Sequence, residues 1–356
     1  MRPQFRGLAA TALVAVLGAG LGGVLVAPAG AAPQDASDAP SRLTWAVQPA
    51  TAKGLDTRPN FTRAVSPGQR VVDHVAVSNF SRKPLTFDLY AADAFNTDKG
   101  EFSLAPKATQ AEDAGAWVEL KKSKLTVPAR SKTIVPVSID VPRNAQPGDH
   151  TGGIVASLTT GAEAASGTSG KVAVEQRVGT RLYLRVIGEV RSALTVTDVS
   201  LAYDAPSNPV AGGTATVTYT VDNPGNTRMS GPVEVEVAGP FGAGRRVAAA
   251  TQLPELLPGE RVTYSAEVDG VRPLGRLTAT VTIQPVPLPA TEGTTGLEPV
   301  VGSATLWAFP WAGLGVLLLL VAVAAALLLR RRSVRTGGTG GTGAPTEAGT
   351  FARTGS

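Results

Sequence analysis

Alternation of apolar and polar residues at every second position dominates the chain from residue 43 to residue 286. Val71, Val75 and Val77 share one face with Asp73, while Val72, His74 and Ala76 share the other. Leu85, Phe87 and Leu89 repeat the pattern, as do Val135, Val137, Ile139 and Val141 opposite Ile134, Pro136, Ser138 and Asp140. A period of two puts each set on one side of a half-buried strand. Stretches 43–47, 154–159 and 172–186 predict further strands. Pro136 cannot donate to a ladder, which places its strand at a sheet edge. The polar stretches 91–116 and 161–171 read as surface loops.

From Arg191 the alternation is cleaner. Ala215, Val217, Tyr219 and Val221 face one way, and so do Val233, Val235 and Val237, then Val262, Tyr264, Ala266 and Val268, then Leu277, Ala279, Val281 and Ile283. Turn sequences separate them, such as Asn223-Pro224-Gly225-Asn226 and Leu257-Pro258-Gly259-Glu260. Short strands at regular spacing, each with one apolar face, predict two-sheet sandwiches. The expected fold is all-β: two tandem immunoglobulin-like β-sandwich domains, over residues 43–190 and 191–286, followed by a single C-terminal transmembrane helix.

That helix is read from residues 306–329, which carry no charge and run directly into Arg330, Arg331 and Arg332. At about 1.5 Å per residue the stretch spans roughly 36 Å, against about 30 Å for a bilayer core. Trp307 and Trp311 mark one membrane interface and the three arginines the other. At the opposite end of the chain, Arg2 and Arg6 precede an apolar run over 8–26 and the small residues Ala29-Gly30-Ala31. This is the pattern of a secretory signal peptide over 1–31, cut at Ala31 or the next residue. Residues 32–42 form a linker, 287–305 a Pro/Thr/Gly-rich stalk, and 330–356 a basic, disordered cytoplasmic tail. The expected topology is a single-pass cell-membrane protein with both sandwiches outside the cell.

Charge and composition remove several functions. The net charge of +5 invites a nucleic-acid reading. The excess, however, is carried by Arg2 and Arg6 in the signal and by Arg330, Arg331, Arg332, Arg335 and Arg353 beyond the helix. The part between is nearly neutral, so no nucleic-acid partner is expected. The chain has no cysteine, which excludes thiolate nucleophiles and thiolate metal sites. No nucleophile elbow, zinc-protease motif or phosphate-binding loop occurs. His74 and His150, the only histidines, have no spacing that makes a metal pair. Asp93, Asn96, Asp98 and Glu101 surround Gly100 without the spacing of a calcium loop, and Asp98-Lys99-Gly100 reads as a hairpin turn. No catalytic activity, cofactor or metal is expected.

One stretch stands apart, PRNAQPGDHTGGIVASL over residues 142–158. Its adjacent glycines suit a bulge or a close backbone approach. Together with Val77-Ser78-Asn79-Phe80-Ser81, Phe87-Asp88-Leu89-Tyr90 and Trp117-Val118, it resembles the WxL-interacting protein family of Gram-positive bacteria. The resemblance covers residues 43–187. It implies peptidoglycan binding by the first domain and a protein-binding role for the second, with WxL-type proteins among the partners. Asp149, His150, Gly152, Gly153 and Trp117 are the candidate ligand-binding residues. The expected function is therefore a non-enzymatic, membrane-anchored surface protein that binds peptidoglycan and/or other surface proteins. The alternative is a chaperone-like module that binds an extended segment of an exported partner by strand addition, at the edge containing Pro136.

Overall fold

A computed structural model describes residues 43–162, 172–206, 208, 211–289 and 297–336. The expected signal peptide with Ala31, the linker 32–42, the hairpin tip 163–171 and the tail beyond residue 336 lie outside the described residues. The first sandwich holds β1 (Trp45–Thr51), β2 (Gly54–Leu55), β3 (Phe61–Val65), β4 (Arg70–Asn79), β5 (Leu85–Asn96), β6 (Phe102–Leu104), β7 (Val118–Leu120), β8 (Lys124–Val127), β9 (Ser131–Asp140), β10 (Gly148–Ala162) and β11 (Val172–Val186). One of its sheets has the order β2-β1-β4-β9-β7. The other has the order β3-β11-β10-β5-β6, with β8 also paired to β5. All pairs are antiparallel except β3 with β11, which run parallel.

The second sandwich holds β12 (Thr195–Asp204), β13 (Gly213–Asp222), β14 (Met229–Ala238), β15 (Arg246–Val247), β16 (Thr251–Leu256), β17 (Arg261–Val271), β18 (Gly275–Ile283), β19 (Val286–Pro287) and β20 (Val300–Ala308). A three-stranded sheet, β12-β13-β17, faces a sheet of order β15-β14-β18-β20, and β16 and β19 also pair with β14.

The period of two seen in the sequence becomes two separate cores. Phe87, Leu89, Val135, Val137 and Ile139 are buried with Phe61, Ile154 and Leu182 in the first. Val217, Tyr219, Val235, Val281 and Ile283 are buried in the second. Asp73 shares the apolar face of β4 and is buried, but Arg58 donates to both its carboxylate oxygens at 2.8 and 2.9 Å. A buried charge is tolerated in such a place only when it is paired in this way.

Three expectations need correction. The strand of Pro136 is not an edge strand along its length. β9 lies between β4 and β7, and β7 covers residues 137–139. Pro136 falls just outside that covered stretch. The region 91–116 is not all loop: β5 continues to Asn96, β6 pairs back onto it, and Ala105 and Ala114 are buried. The expected stalk 287–305 ends in β20, which pairs with β18 through nine successive residues, from Ile283↔Val300 to Gly275↔Ala308. Val300, Val301 and Thr305 are β-branched, and alternation extends to Trp307, so this stretch joins the sheet rather than staying extended in water.

The helix α1 (Trp311–Thr336) therefore starts later than expected, and Trp307 belongs to a strand. Leu314 N–H donates to the Pro310 carbonyl at 2.9 Å, so Pro310 stands at the start of the helix without costing an intrahelical bond. Residues 313–331 are long and apolar enough to cross a membrane, and none of that window is buried.

Replacing Phe87 with alanine is expected to destabilise the first sandwich by about 3–5 kcal/mol, whereas Val72→Ala, on the outer face, should cost less than about 0.5 kcal/mol. Denaturant unfolding of the two variants beside the parent chain measures both.

Candidate functional site at the open edge of the first sandwich

The Gly152-Gly153 pair explains how β10 is covered. A Cβ on Gly152 would lie 2.7 Å from the Ala92 carbonyl oxygen, and one on Gly153 would lie 2.5 Å from Leu104 Cδ1. The two glycines serve opposite faces of β10: Gly152 admits Ala114 and Gly115 on the core side, and Gly153 admits Leu104 on the outer side. Asp93 pins the segment that Gly152 admits: its carboxylate accepts the N–H groups of Glu112 at 2.6 Å, Asp113 at 2.9 Å and Gly115 at 2.6 Å. His150 contacts it from β10. Its Nδ1 meets Asp113 Oδ1 at 2.5 Å, and its Nε2 lies 2.8 Å from the Gln146 carbonyl oxygen. Trp117 is buried, with its ring centroid 4.5 Å from that of His150. His74 lies on β4, in the opposite sheet.

Asp149, next in line, points the other way and joins the two sandwiches. Its side chain is 3% exposed. It takes two hydrogen bonds from Arg185, each 2.7 Å, and one from the Arg228 N–H at 2.9 Å. Arg228 is itself buried, and its guanidinium donates to Glu255 at 2.7 Å and lies 3.9 Å from the Tyr183 ring centroid. Tyr183 and Arg181 both donate to the other oxygen of Glu255, at 3.0 and 3.2 Å. Backbone contacts flank this network. Asn226 Nδ2 donates to the Pro147 carbonyl at 2.9 Å, and Asn96 bridges the Glu255 carbonyl and the Leu257 N–H at 2.7 and 2.9 Å. The turn at Gly100 also abuts the second sandwich. Its φ is +78°, and a Cβ there would overlap the Tyr264 hydroxyl, so only glycine fits.

Of the five candidate ligand-binding residues, the structure brings His150 and Trp117 together and gives Gly152 and Gly153 a packing role beside them. It sends Asp149 to the interdomain network. Sequence reasoning placed Asn96 only in the cluster around Gly100 and missed Arg181, Tyr183, Arg185, Arg228 and Glu255. Their partners lie up to 161 residues away along the chain, and no local pattern reports such pairings.

The remaining feature is an unfilled strand edge. β11 pairs with β10 along its whole length, but with β3 only from Leu182 to Val186. On that side residues 175–181 pair with no strand among the described residues. Glu175, Gln176, Arg177 and Gly179 are exposed, and Val178 is half-buried against the core. A cleft of about 300 Å³ lies on the outer face beside this edge, lined by Phe102, Leu104, Val155, Arg177 and Arg181. The Arg181 guanidinium stands 4.1 Å from the Phe102 ring centroid, which fixes one wall. An edge of this kind offers unpaired backbone N–H and C=O groups, the chemistry that recognises another extended backbone. By contrast, the free part of β9 is blunted by Pro136 and the exposed Lys132.

No protein-family model matches the chain, and no curated protein matches its sequence. Solved structures with partial likeness include the class 5 fimbriae chaperone CfaA, 10% identical with a TM-score of 0.31 over 73% of this chain and 98% of that one. The CupB2 chaperone of Pseudomonas aeruginosa is 10% identical, with a TM-score of 0.27 over 71% and 99%. A family 123 glycoside hydrolase from Clostridium perfringens is 10% identical, with a TM-score of 0.27 over 42% of this chain and 28% of that one. At TM-scores this low, neither a residue role nor an activity is taken from the likeness.

Asp149→Ala strands Arg185 and Arg228 and should destabilise the chain by about 3–5 kcal/mol, as read by thermal or denaturant unfolding. Burial opposes protonation of His150, but Asp113 and the Gln146 carbonyl outweigh it and hold the pKa above the ordinary histidine value of about 6.5. The folded state therefore binds this proton more tightly than the unfolded chain. The stabilisation is complete below about pH 6.5 and is lost as pH rises through the elevated value. Stability against pH, compared with a His150→Gln variant, should differ on the acid side and converge on the alkaline side.

Proposed function

We propose that the protein is a membrane-anchored binding protein that captures an extended segment of a partner protein by strand addition to β11. The observation that carries this reading is the edge at residues 175–181, which lies between the paired end of β11 and the long hairpin with β10. An incoming strand would meet backbone groups along this edge, and every second side chain would lie on the outer face beside Arg177, Gly179 and Arg181, whose other side faces the cleft. The strand-addition site is thus β11 rather than the β9 edge containing Pro136.

In this reading α1 crosses the membrane, the two sandwiches stand outside the cell, and the partner is itself an exported protein. The chain performs no catalysis and uses no cofactor. Peptidoglycan adhesion is the less favoured reading, because Trp117 and His150 are turned onto each other and onto the segment that covers β10.

Hydrogen exchange of the full chain in a lipid nanodisc, with and without extended peptides that alternate valine and threonine, tests the proposal. Bound peptide should slow exchange at the backbone amides of residues 175–181 and leave those of β9 unchanged. Unchanged amides on β11 at saturating peptide, with co-sedimentation of the chain on purified peptidoglycan sacculi, would favour adhesion to the wall instead.

A further inference from the structure

The end of the second sandwich nearest the helix is built differently from the rest of its surface. β14 leaves the sheet at Ala238, opposite Thr278, and β18 begins at Gly275, opposite Ala308. The β14–β15 loop, the β17–β18 turn and the end of β20 therefore reach the same level. The β12–β13 connection ends there too, since Gly213 pairs with Val271. A Cβ on Gly239 would lie 2.9 Å from Leu274 Cδ1, so the first two loops touch.

This end carries apolar side chains that none of the described residues covers. Phe241 is fully exposed at 109%, and Leu274, Trp307, Phe309 and Trp311 are all exposed as well. Trp307 stacks on Phe309 with centroids 5.6 Å apart and planes at 9°, and Phe309 lies 5.6 Å from Trp311. Phe241 sits at φ +57° in a single 3-10 turn over Pro240–Gly242. A bulky residue in the left-handed region is an outlier, and here it projects the ring straight into solvent. Basic residues accompany the rings: Arg272 and Arg276 are exposed, and Arg246 is fixed by its bond to the Gly270 carbonyl. Acids at this end are already engaged: Asp269 accepts from Thr214, and Glu234 and Glu236 pair with Arg245 of the β14–β15 loop.

Only Phe309 and Pro310 separate β20 from α1. Two residues span about 7 Å at most. The interfacial layer of a bilayer is itself about 5–8 Å thick on each side. If α1 enters the membrane at Trp311, the loops of this end cannot avoid the headgroups. Strands about 4.8 Å apart place β14 about 10 Å from β20 in the plane of the sheet, so Phe241 meets the surface at a point well away from the helix.

We propose that this end of the second sandwich is a lipid-docking face. Phe241 and Leu274 insert into the interface beside the aromatic row Trp307, Phe309 and Trp311, and Arg272 and Arg276 meet anionic headgroups. The sandwich is then held upright by two separated contacts rather than swivelling on one helix. This inference rests on the membrane-anchor reading of α1.

The absence of cysteine allows a clean test. Single variants Phe241→Cys, Leu320→Cys and Lys83→Cys of the full chain would carry an environment-sensitive NBD label. Each would be reconstituted into vesicles of phosphatidylcholine and phosphatidylglycerol. Lys83 is exposed in the turn before β5, at the far end of the first sandwich. The expected result is blue-shifted emission, quenched by lipid spin-labelled near the headgroup, at position 241 and not at 83. Label at 320 should be quenched by lipid spin-labelled deep in the chain. Water-like emission at 241 with membrane-like emission at 320 would overturn the docking face and leave the anchor standing. Water-like emission at both would overturn the anchor reading, and the docking face with it.

Discussion

The Asp149 carboxylate, buried between the two sandwiches, is the contact on which the arrangement of the whole outer part depends. A charge so enclosed is costly unless its partners are fixed, and Arg185 and the Arg228 backbone supply them from two different sandwiches. Arg228 then passes the constraint to Glu255, and Glu255 passes it back to Tyr183 and Arg181 on β11. The alternation of charges, first sandwich to second and back, leaves little freedom for a hinge. It also ends on the strand whose free edge is the candidate binding site.

That linkage gives the open edge a defined position. Residues 175–181 end on Arg181 and lead into Tyr183, both of which the junction holds through Glu255. The cleft beside the edge is walled by Arg181 over Phe102, and β6, which carries Phe102, lies where it does because Gly153 admits Leu104. Gly153 in β10 and the interdomain network thus act on one surface. In the proposed function, a rigid support matters because a strand edge binds through register, and a support that flexes would spread the backbone donors and acceptors over many positions.

Much of the fold was legible in the chain, for a simple reason. Where one face of a strand is buried, the period of two must be written in the residues, and it is written in Phe87 and Leu89 or Val281 and Ile283. β20 was missed because Gly302, Ala304 and Ala308 present small inward side chains, and a proline-rich stretch precedes it, so the alternation looked like a stalk. The glycine pair was visible as a close-approach signal, though what approaches was not. The junction was illegible: Asp149 looked like part of a local turn motif with His150, yet adjacent residues in a strand point to opposite faces. The open edge was anticipated in kind and misplaced in position. Proline marked β9 as unable to pair, whereas the pairing vacancy on β11 arises from the short reach of β3, which no local pattern encodes.

The most direct test of this account is the distance across the junction. Spin labels at Lys83→Cys and Glu267→Cys, both at exposed positions in a chain without native cysteine, would report it by pulsed dipolar spectroscopy. A locked pair of sandwiches predicts one narrow distance distribution that broadens when Asp149→Ala is added. A distribution already broad in the parent chain, and indifferent to Asp149, would contradict it.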